Sequence, residues 1–203
     1  FDTTPAWRTV EISCPLDGWT LTTHSDELKV EILGGPTVQG SDWQLLSVPQ
    51  QAAKNKERRL TVCLGTDKAP GLQAEITYAV REGEGWLRKA VRLSGPKGLV
   101  VSRVDLEPMT LTPAPRNHSG KGMPILIGGR CWFGVQYPAS RNRIEAGRLE
   151  LVHFPGREVG GKGLACKTAV CGVARPGQAL AMAFEEYLNT VALPPRHFLH
   201  YNS

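Results

Sequence analysis

Residues Leu72–Leu93, LQAEITYAVREGEGWLRKAVRL, decide the fold class of this chain. Apolar and polar residues alternate from Leu72 to Val80 and again from Trp86 to Leu93, with the period of two that is typical of half-buried β-strands. The connector Arg81–Gly85 has the length and composition of a hairpin loop. This stretch therefore predicts two antiparallel strands joined by a short turn.

The same alternation continues on both sides of this hairpin, interrupted by Gly, Pro, Asn and Asp. Further predicted strands are Trp7–Cys14, Leu28–Leu33, Leu60–Leu64, Ile125–Ile127, Cys131–Tyr137, Leu149–Phe154 and Leu164–Val173. We interpret Gly98–Leu111 as one long strand, with Val101, Arg103 and Asp105 on its solvent-exposed face. At least ten strands separated by turns predict a mainly β protein, an antiparallel β-sandwich of two sheets.

One segment near the C-terminus has a helical period instead. Between Gln178 and Val191, apolar side chains recur at three- and four-residue spacing, and Glu185 and Glu186 fall on the other side. The apolar positions are Leu180, Phe184, Tyr187, Leu188 and Val191. We predict one C-terminal amphipathic helix, ended by Pro194-Pro195. The expected organisation is a β-sandwich over residues 1–175, a helix and linker over 176–195, and the start of a further element over 196–203.

Composition excludes several classes of protein. The 203 residues include 24 Lys and Arg against 19 Asp and Glu, and the net charge of +5 is spread along the chain, which is too weak a bias for a nucleic-acid partner. No apolar run approaches the ~18 residues that span a bilayer, and the start of the chain does not have the pattern of a signal peptide. We expect a soluble protein, cytoplasmic or exported with its leader removed, and no membrane partner.

No segment of the sequence matches a cofactor-binding or metal-binding motif in full. The segment Gly156–Gly163 imitates a phosphate-binding loop, but its last position offers no hydroxyl and a strand-like run follows. The histidines have no metal-ligand spacing, and the acidic residues, Asp105 and Glu107 among them, do not single out an acid–base pair. The five cysteines are interpreted as small buried hydrophobes, with Cys166 and Cys171 on opposite faces of a strand. No cofactor, metal or catalytic residue is predicted.

Tryptophan supplies the candidate binding residues. The chain has five, and a tryptophan ring either packs in a β core or stacks against the C–H face of a sugar. Trp132 lies in sequence near the basic and polar loop that contains Arg141 and Arg143. We take Trp132, Arg141 and Arg143 as the candidates for carbohydrate contact.

The C-terminal third resembles a known family. Its motifs are CWFGVQYP at 131–138, HFPGR at 153–157, AVCGVA at 169–174, and LPPRHFLHYNS at 193–203 after the helix. Together they are similar to the N-terminal β-sandwich of α-galactosidase (melibiase)-like glycoside hydrolases. The resemblance covers residues 85–203 and implies a galactose-mutarotase-like supersandwich that precedes a (β/α)8 barrel, with Tyr201-Asn202-Ser203 opening the first barrel strand.

The resemblance implies a function with no catalytic residue in this chain, because the family's catalytic carboxylates lie on later barrel strands. The expected role is a non-catalytic domain that supports the barrel and borders its sugar pocket. Its partners would be the barrel of the same polypeptide, a galactoside bound by the full-length enzyme, and a second copy in a homo-oligomer. Two alternatives stay open: a self-sufficient carbohydrate-binding module and a structural or oligomerisation domain.

Overall fold

A computed structural model describes residues 7–112 and 120–192. Within these ranges the chain forms nineteen β-strands and one α-helix. The strands are Glu11–Cys14 (β1), Trp19–Ser25 (β2), Lys29–Ile32 (β3), Thr37–Gln39 (β4), Gln44–Leu45 (β5), Gln50–Lys54 (β6), Glu57–Gly65 (β7), Gln73–Arg81 (β8), Trp86–Ser94 (β9), Val100–Asp105 (β10), Met109–Thr112 (β11), Gly120–Lys121 (β12), Ile125–Ile127 (β13), Cys131–Val135 (β14), Arg141–Glu145 (β15), Arg148–His153 (β16), Arg157–Glu158 (β17), Leu164–Ala165 (β18) and Ala169–Val173 (β19). The helix α1 is Leu180–Val191. The expectations for Pro194-Pro195 and for residues 196–203 lie outside the described residues.

The strands form two antiparallel sheets, which confirms the predicted β-sandwich. In sheet I, which has ten of the described strands, the main order is β1-β2-β11-β16-β10-β3-β4, and β12, β15 and β17 pair beside it. In sheet II, which has nine, the order is β13-β14-β19-β9-β8-β7-β5, with β18 and β6 beside it. One cluster of buried apolar side chains joins both sheets, so the main core lies between them.

The hairpin that opened the sequence analysis forms the centre of sheet II. Strands β8 and β9 pair without interruption from Gln73↔Ser94 to Val80↔Leu87. Every second residue of each strand faces the core: Ala74, Ile76 and Tyr78 in β8, and Lys89, Val91 and Leu93 in β9, are buried. Burial of an Ile, Val or Leu side chain stabilises the fold by roughly 1.5–3 kcal/mol.

The predicted long strand Gly98–Leu111 is wrong, because the chain divides there into β10 and β11. Both pieces pair with β16, and Leu106–Pro108 forms the interruption between them. Within β10 the register against β3 shifts between Val101 and Arg103, which marks a β-bulge. A slip of one residue exchanges the two faces of a strand, so Val101 before the bulge and Val104 after it both face the core. Asp105 is also fully buried instead of lying on the solvent-exposed face, and its carboxylate accepts from the N–H groups of Leu151 and Glu107.

Two other strand boundaries differ from prediction. The first strand begins at Glu11 instead of Trp7, and Leu164–Val173 divides into β18 and β19. Seven described strands were not predicted from the sequence: β2, β4, β5, β6, β12, β15 and β17. All five residues of β6 are exposed, so the strand has no alternation of burial for a sequence pattern to reveal.

The helix packs on the outer face of sheet II. It buries Leu180, Ala183 and Tyr187 in a second cluster with Trp86 and Trp132, which confirms the predicted amphipathic helix. Its C-terminal part departs from the prediction, since Leu188 and Val191 are 40% and 41% exposed. Among the described residues, no helix has the length and apolar character to cross a membrane.

A glycine allows this packing. Trp86, Gly172 and Trp132 occupy one row across β9, β19 and β14. A Cβ atom on Gly172 would overlap the indole ring of Trp132. That ring cannot easily move, because Phe184 and Tyr187 contact it with ring centroids at 5.0 and 4.7 Å. The missing side chain at residue 172 is therefore the space in which Trp132 lies.

We expect Gly172→Ala to lower the free energy of unfolding by about 1–3 kcal/mol, since the added methyl group overpacks this site. Urea unfolding followed by tryptophan fluorescence measures the change. Gly134→Ala in β14 is the matched control, because a Cβ there meets no atom within 4 Å. Equal losses in the two variants would contradict the packing role of Gly172.

Candidate functional site

A cavity of about 600 Å³ lies between the two sheets. Sheet I contributes β1, Met109 and Leu151 to its walls, and sheet II contributes residues such as Tyr78, Lys89 and Phe133. Its lining includes exposed residues, Leu16 among them, so the cavity opens to solvent. Protein interiors are normally close-packed, and a concave apolar space with a few polar groups is the usual form of a small-molecule site. We therefore take this cavity as the candidate functional site.

Four polar side chains form one buried group beside this cavity, and we name Glu27, Tyr78, Lys89 and Glu107 the acid–lysine cluster. The Nζ atom of Lys89 lies 2.6 Å from Oε1 of Glu27 and 3.3 Å from Oε2 of Glu107. The same ammonium donates to the Glu27 carbonyl oxygen at 2.6 Å. Lys89 belongs to sheet II, whereas both carboxylates come from connections of sheet I, so the cluster joins the two sheets.

Glu27 is the member of the cluster whose two carboxylate oxygens are both fully engaged in hydrogen bonds. It lies between β2 and β3 with a left-handed backbone φ of 59°, which turns its side chain inward. Its Oε2 accepts hydrogen bonds from the Thr9 N–H at 2.9 Å and the Thr9 hydroxyl at 3.1 Å. Its Oε1 accepts from Lys89 and from the Tyr78 hydroxyl, and that hydroxyl accepts from Trp7 Nε1 at 3.2 Å. Glu27 is thus a structural anion with no capacity left for a ligand.

Glu107 reaches the cavity because of the interruption between β10 and β11. The buried carboxylate of Asp105 replaces a missing backbone acceptor there: Oδ1 accepts from the Leu151 N–H at 2.9 Å and from the Glu107 N–H at 3.4 Å. The interruption is tied to the β2–β3 connection, since the Asp26 N–H donates to the Pro108 carbonyl at 2.8 Å. At this interruption the Glu107 side chain lines the cavity.

Burial and charge shift the pKa of each cluster member. Burial raises the pKa of Glu107 to about 8, although Lys89 opposes the shift. Burial would also raise the pKa of Glu27, but the charge and hydrogen bond of Lys89 hold it below its usual value. For Lys89 burial favours the neutral amine, and the carboxylates of Glu107 and Glu27 overcome this and raise its pKa. Burial followed by the charge of Glu27 raises the pKa of Tyr78.

The arrangement has one chemically responsive group. Glu107 is protonated near neutral pH, and its carboxyl group lines the cavity. It can therefore donate a hydrogen bond, or lose its proton when its surroundings change. Asp105 is a second buried acid, and burial raises its pKa to about 6, but it does not line the cavity. Across the part of the chain that the structure describes, no three His, Cys, Asp or Glu side chains group as metal ligands.

The structure does not bring the three sequence-predicted contacts together in this cavity. Trp132 lies under α1 and is 1% exposed, so a sugar would reach its ring only if the helix left. Arg141 and Arg143 lie on β15 of sheet I, where Arg141 is exposed and Arg143 pairs with Glu145. None of the three lines the cavity. Carbohydrate contact at Arg141 and Arg143 stays a prediction.

Two signals for the acid–lysine cluster were present in the sequence and were missed. Lys89 shares the period-two face of Leu87, Val91 and Leu93, and a lysine in an apolar row requires a buried counter-charge. Glu107 precedes a proline, which has no N–H to donate to the hydrogen bonds of a β-sheet and so marks an interruption of the strand. Glu27 had no comparable signal, since its inward direction depends on a left-handed backbone conformation.

The cysteines show one contact that their spacing did not predict. The sulfur atoms of Cys131 and Cys171 lie 3.6 Å apart on the paired strands β14 and β19. All five cysteines are free thiols, and Cys14 and Cys131 are buried. Burial raises the pKa of Cys166 to about 12, and the hydrogen bond with Cys131 followed by burial raises the pKa of Cys171. A thiol with a raised pKa is a poor nucleophile at neutral pH.

Comparison with solved structures finds a distant likeness. The chain is similar to the GH36 alpha-galactosidase AgaA from Geobacillus stearothermophilus, with 12% sequence identity and a TM-score of 0.46 over 81% of this chain and 33% of that chain. It is also similar to a substituted form of that enzyme in complex with stachyose, with 11% identity and a TM-score of 0.44 over 91% of this chain and 38% of that chain. No protein-family model and no curated protein matches the chain.

Lys89→Met is expected to lower the free energy of unfolding by about 3–5 kcal/mol, because it leaves the buried Glu27 carboxylate without its cation. Chemical unfolding at neutral pH measures the loss. Lys68→Met is the matched control: Lys68 is half exposed and pairs with Asp42 at 3.0 Å, and a surface pair of this kind contributes about 1 kcal/mol or less. A loss at Lys89 no larger than at Lys68 would show that the cluster does not hold the sheets together.

The raised pKa of Glu107 also predicts a pH dependence of stability. Its pKa is about 8 when folded and near 4.5 when unfolded, so the folded chain binds more protons between these values. This group therefore makes stability fall as pH rises from about 4.5 to about 8. Glu107→Gln should flatten the profile and gain stability relative to the parent at alkaline pH. Glu75→Gln, at an exposed position of β8, is the control, and parallel profiles for all three proteins would refute the shift.

Proposed function

We propose that this chain is the non-catalytic β-sandwich domain of an α-galactosidase-like glycoside hydrolase, and that it supports a catalytic (β/α)8 barrel in the same polypeptide. The observation that carries the proposal is that three of the four motifs of the sequence resemblance meet in one packing unit, while the fourth, at 193–203, lies outside the described residues. Residues Cys131–Val135 pair along their whole length with Ala169–Val173. The side chains of these motifs thus serve a shared structural purpose, as a supporting domain requires.

The third motif, HFPGR, belongs to the same unit. The ring of Tyr137 stands edge-on to His153 at 6.1 Å, and the Lys167 ammonium lies 4.7 Å from the centre of the Tyr137 ring. The Lys167 N–H also approaches His153 Nδ1 at 3.5 Å. The segments CWFGVQYP, HFPGR and AVCGVA are therefore neighbours in the fold, although 38 residues separate Cys131 from Ala169 along the chain.

Helix α1 supplies the surface toward a further domain in this proposal. Its inner face is fixed on Trp86 and Trp132, while Met182, Leu188 and Val191 are exposed apolar residues at 58%, 40% and 41%. A neighbouring domain would cover such residues and gain from their burial. A stand-alone carbohydrate-binding module has less support, since Trp132 offers no open ring face while α1 is docked.

The proposal predicts that the purified 203-residue chain, verified as folded by circular dichroism, releases no nitrophenol from nitrophenyl α-galactoside. The product of the reading frame extended beyond Ser203 should release it, and serves as the positive control. That frame should encode an aromatic residue and an Asp soon after Ser203, followed by alternating β and α segments.

Hydrolysis by the chain alone, or a stop codon directly after Ser203, would overturn the proposal. Calorimetric titration with galactose separates the remaining alternative. A measurable heat of binding would indicate a carbohydrate-binding module, whereas a flat titration agrees with a supporting domain.

A further inference from the structure

We propose that the cavity between the sheets binds a primary amine with a compact apolar body, and that the ligand's ammonium group pairs with Glu107. This site goes beyond the supporting role proposed above and does not depend on it. The two premises are the charge balance of the acid–lysine cluster and the chemical character of the cavity walls.

The cluster has one more acid than base. Glu27 and Glu107 provide two carboxyl groups around the single ammonium of Lys89, whose side chain is 3% exposed. Glu27 occupies that ammonium through the shorter contact, 2.6 Å against 3.3 Å for Glu107. Glu107 therefore lies at a position where one further positive charge would complete the pairing of two acids with two cations. The cavity is the space next to Glu107 in which such a charge fits.

Other charged groups near Glu107 do not supply that cation. The largest charge effects on Glu107 come from Lys89, Glu27 and Asp105, and its own charge acts on Tyr78 and Cys171. Lys89 is the one base among these described groups. Arg175 also lines the cavity, but its guanidinium is directed to the Gly83 carbonyl at 3.3 Å and to Glu186 at 3.8 Å. Glu11 adds another carboxylate to the lining, which favours a cation further.

The walls define the rest of the ligand. Most are hydrocarbon, aromatic or sulfur-containing: Ile12, Val80, Leu87, Met109, Phe133, Cys171 and Val173. A sugar would bury several hydroxyl groups against these side chains without partners, at a cost of roughly 1–3 kcal/mol each. A ligand with one charged group on an apolar body matches a cavity that has Glu107 at one end and mostly apolar walls. A volume of about 600 Å³ accommodates an arylalkylamine.

Binding of such a ligand is coupled to a proton. The protonated Glu107 carboxyl loses its proton to solvent, the carboxylate pairs with the incoming ammonium, and the net charge in the cavity is unchanged. The raised pKa of Glu107, about 8, supports this step, because the group is protonated at neutral pH and has a proton to release. An alcohol of the same shape would leave the proton on Glu107.

Isothermal titration calorimetry of the full 203-residue chain tests the site with three isosteric probes: phenethylamine, phenethyl alcohol and hydrocinnamate. We expect the amine to bind at least about tenfold more tightly than the alcohol, and the anion to bind least. Titrations in two buffers of different ionisation enthalpy should show release of close to one proton per amine at about pH 6.5, and of almost none at about pH 9, where Glu107 is already ionised and the amine is still protonated.

Glu107→Gln should remove the preference for the amine and the proton release while leaving the affinity for the alcohol within about twofold, which also shows that the variant keeps its cavity. Glu75→Gln, on the outer face of β8, should behave as the parent. The proposal is overturned if none of the probes binds, if amine and alcohol bind equally, or if Glu107→Gln retains the preference. Amine binding without proton release would also overturn the pairing with Glu107.

Discussion

The charge of Lys89 is the constraint on which much of this fold depends. The residue stands in the inner row of β9, where burial without counter-charges would cost several kcal/mol. Both counter-charges come from sheet I, and both sit where regular structure fails: Glu27 at a left-handed residue between β2 and β3, and Glu107 at the interruption between β10 and β11. Irregular segments of sheet I thus place both carboxylates against a single atom of sheet II, the Nζ of Lys89.

The sequence predicted the regular parts of the fold well. The hairpin β8–β9, strand β3 and helix α1 have an unbroken period of two or of three to four, and each lies where its pattern indicated. The pattern failed at β10, because the bulge between Val101 and Arg103 breaks the alternation, so that Val101 and Val104 both face the core. Asp105 differs from prediction as well: alternation indicated an exposed acid, whereas beside the strand interruption it is a buried acceptor for two backbone N–H groups. A bulge depends on the partner strand, which local sequence does not contain.

The candidate site could be predicted only in part for a related reason. Trp132 was predicted as a contact residue because it is aromatic and near arginines in sequence. Its ring is instead covered by α1, about fifty residues later. Lys89 was recognisable from its apolar neighbours, yet its two partners lie 62 residues before it and 18 residues after it. Sequence patterns report the periodicity of one element, and a site assembled between two sheets depends on contacts among several.

The order of strands in sheet I has a consequence for folding during synthesis on the ribosome. Strands β2 and β3 leave the ribosome early, but their central neighbours are β11 and β10, and β16 joins those two. The main path of sheet I is therefore incomplete until residue 153 has been made, whereas β7, β8 and β9 of sheet II pair with their chain neighbours. Long-range pairing of this kind is slow and leaves strand edges open meanwhile. The nascent chain thus carries the β7–β8–β9 part of sheet II, with its lysine, before the second of the two acids, Glu107, has found its place.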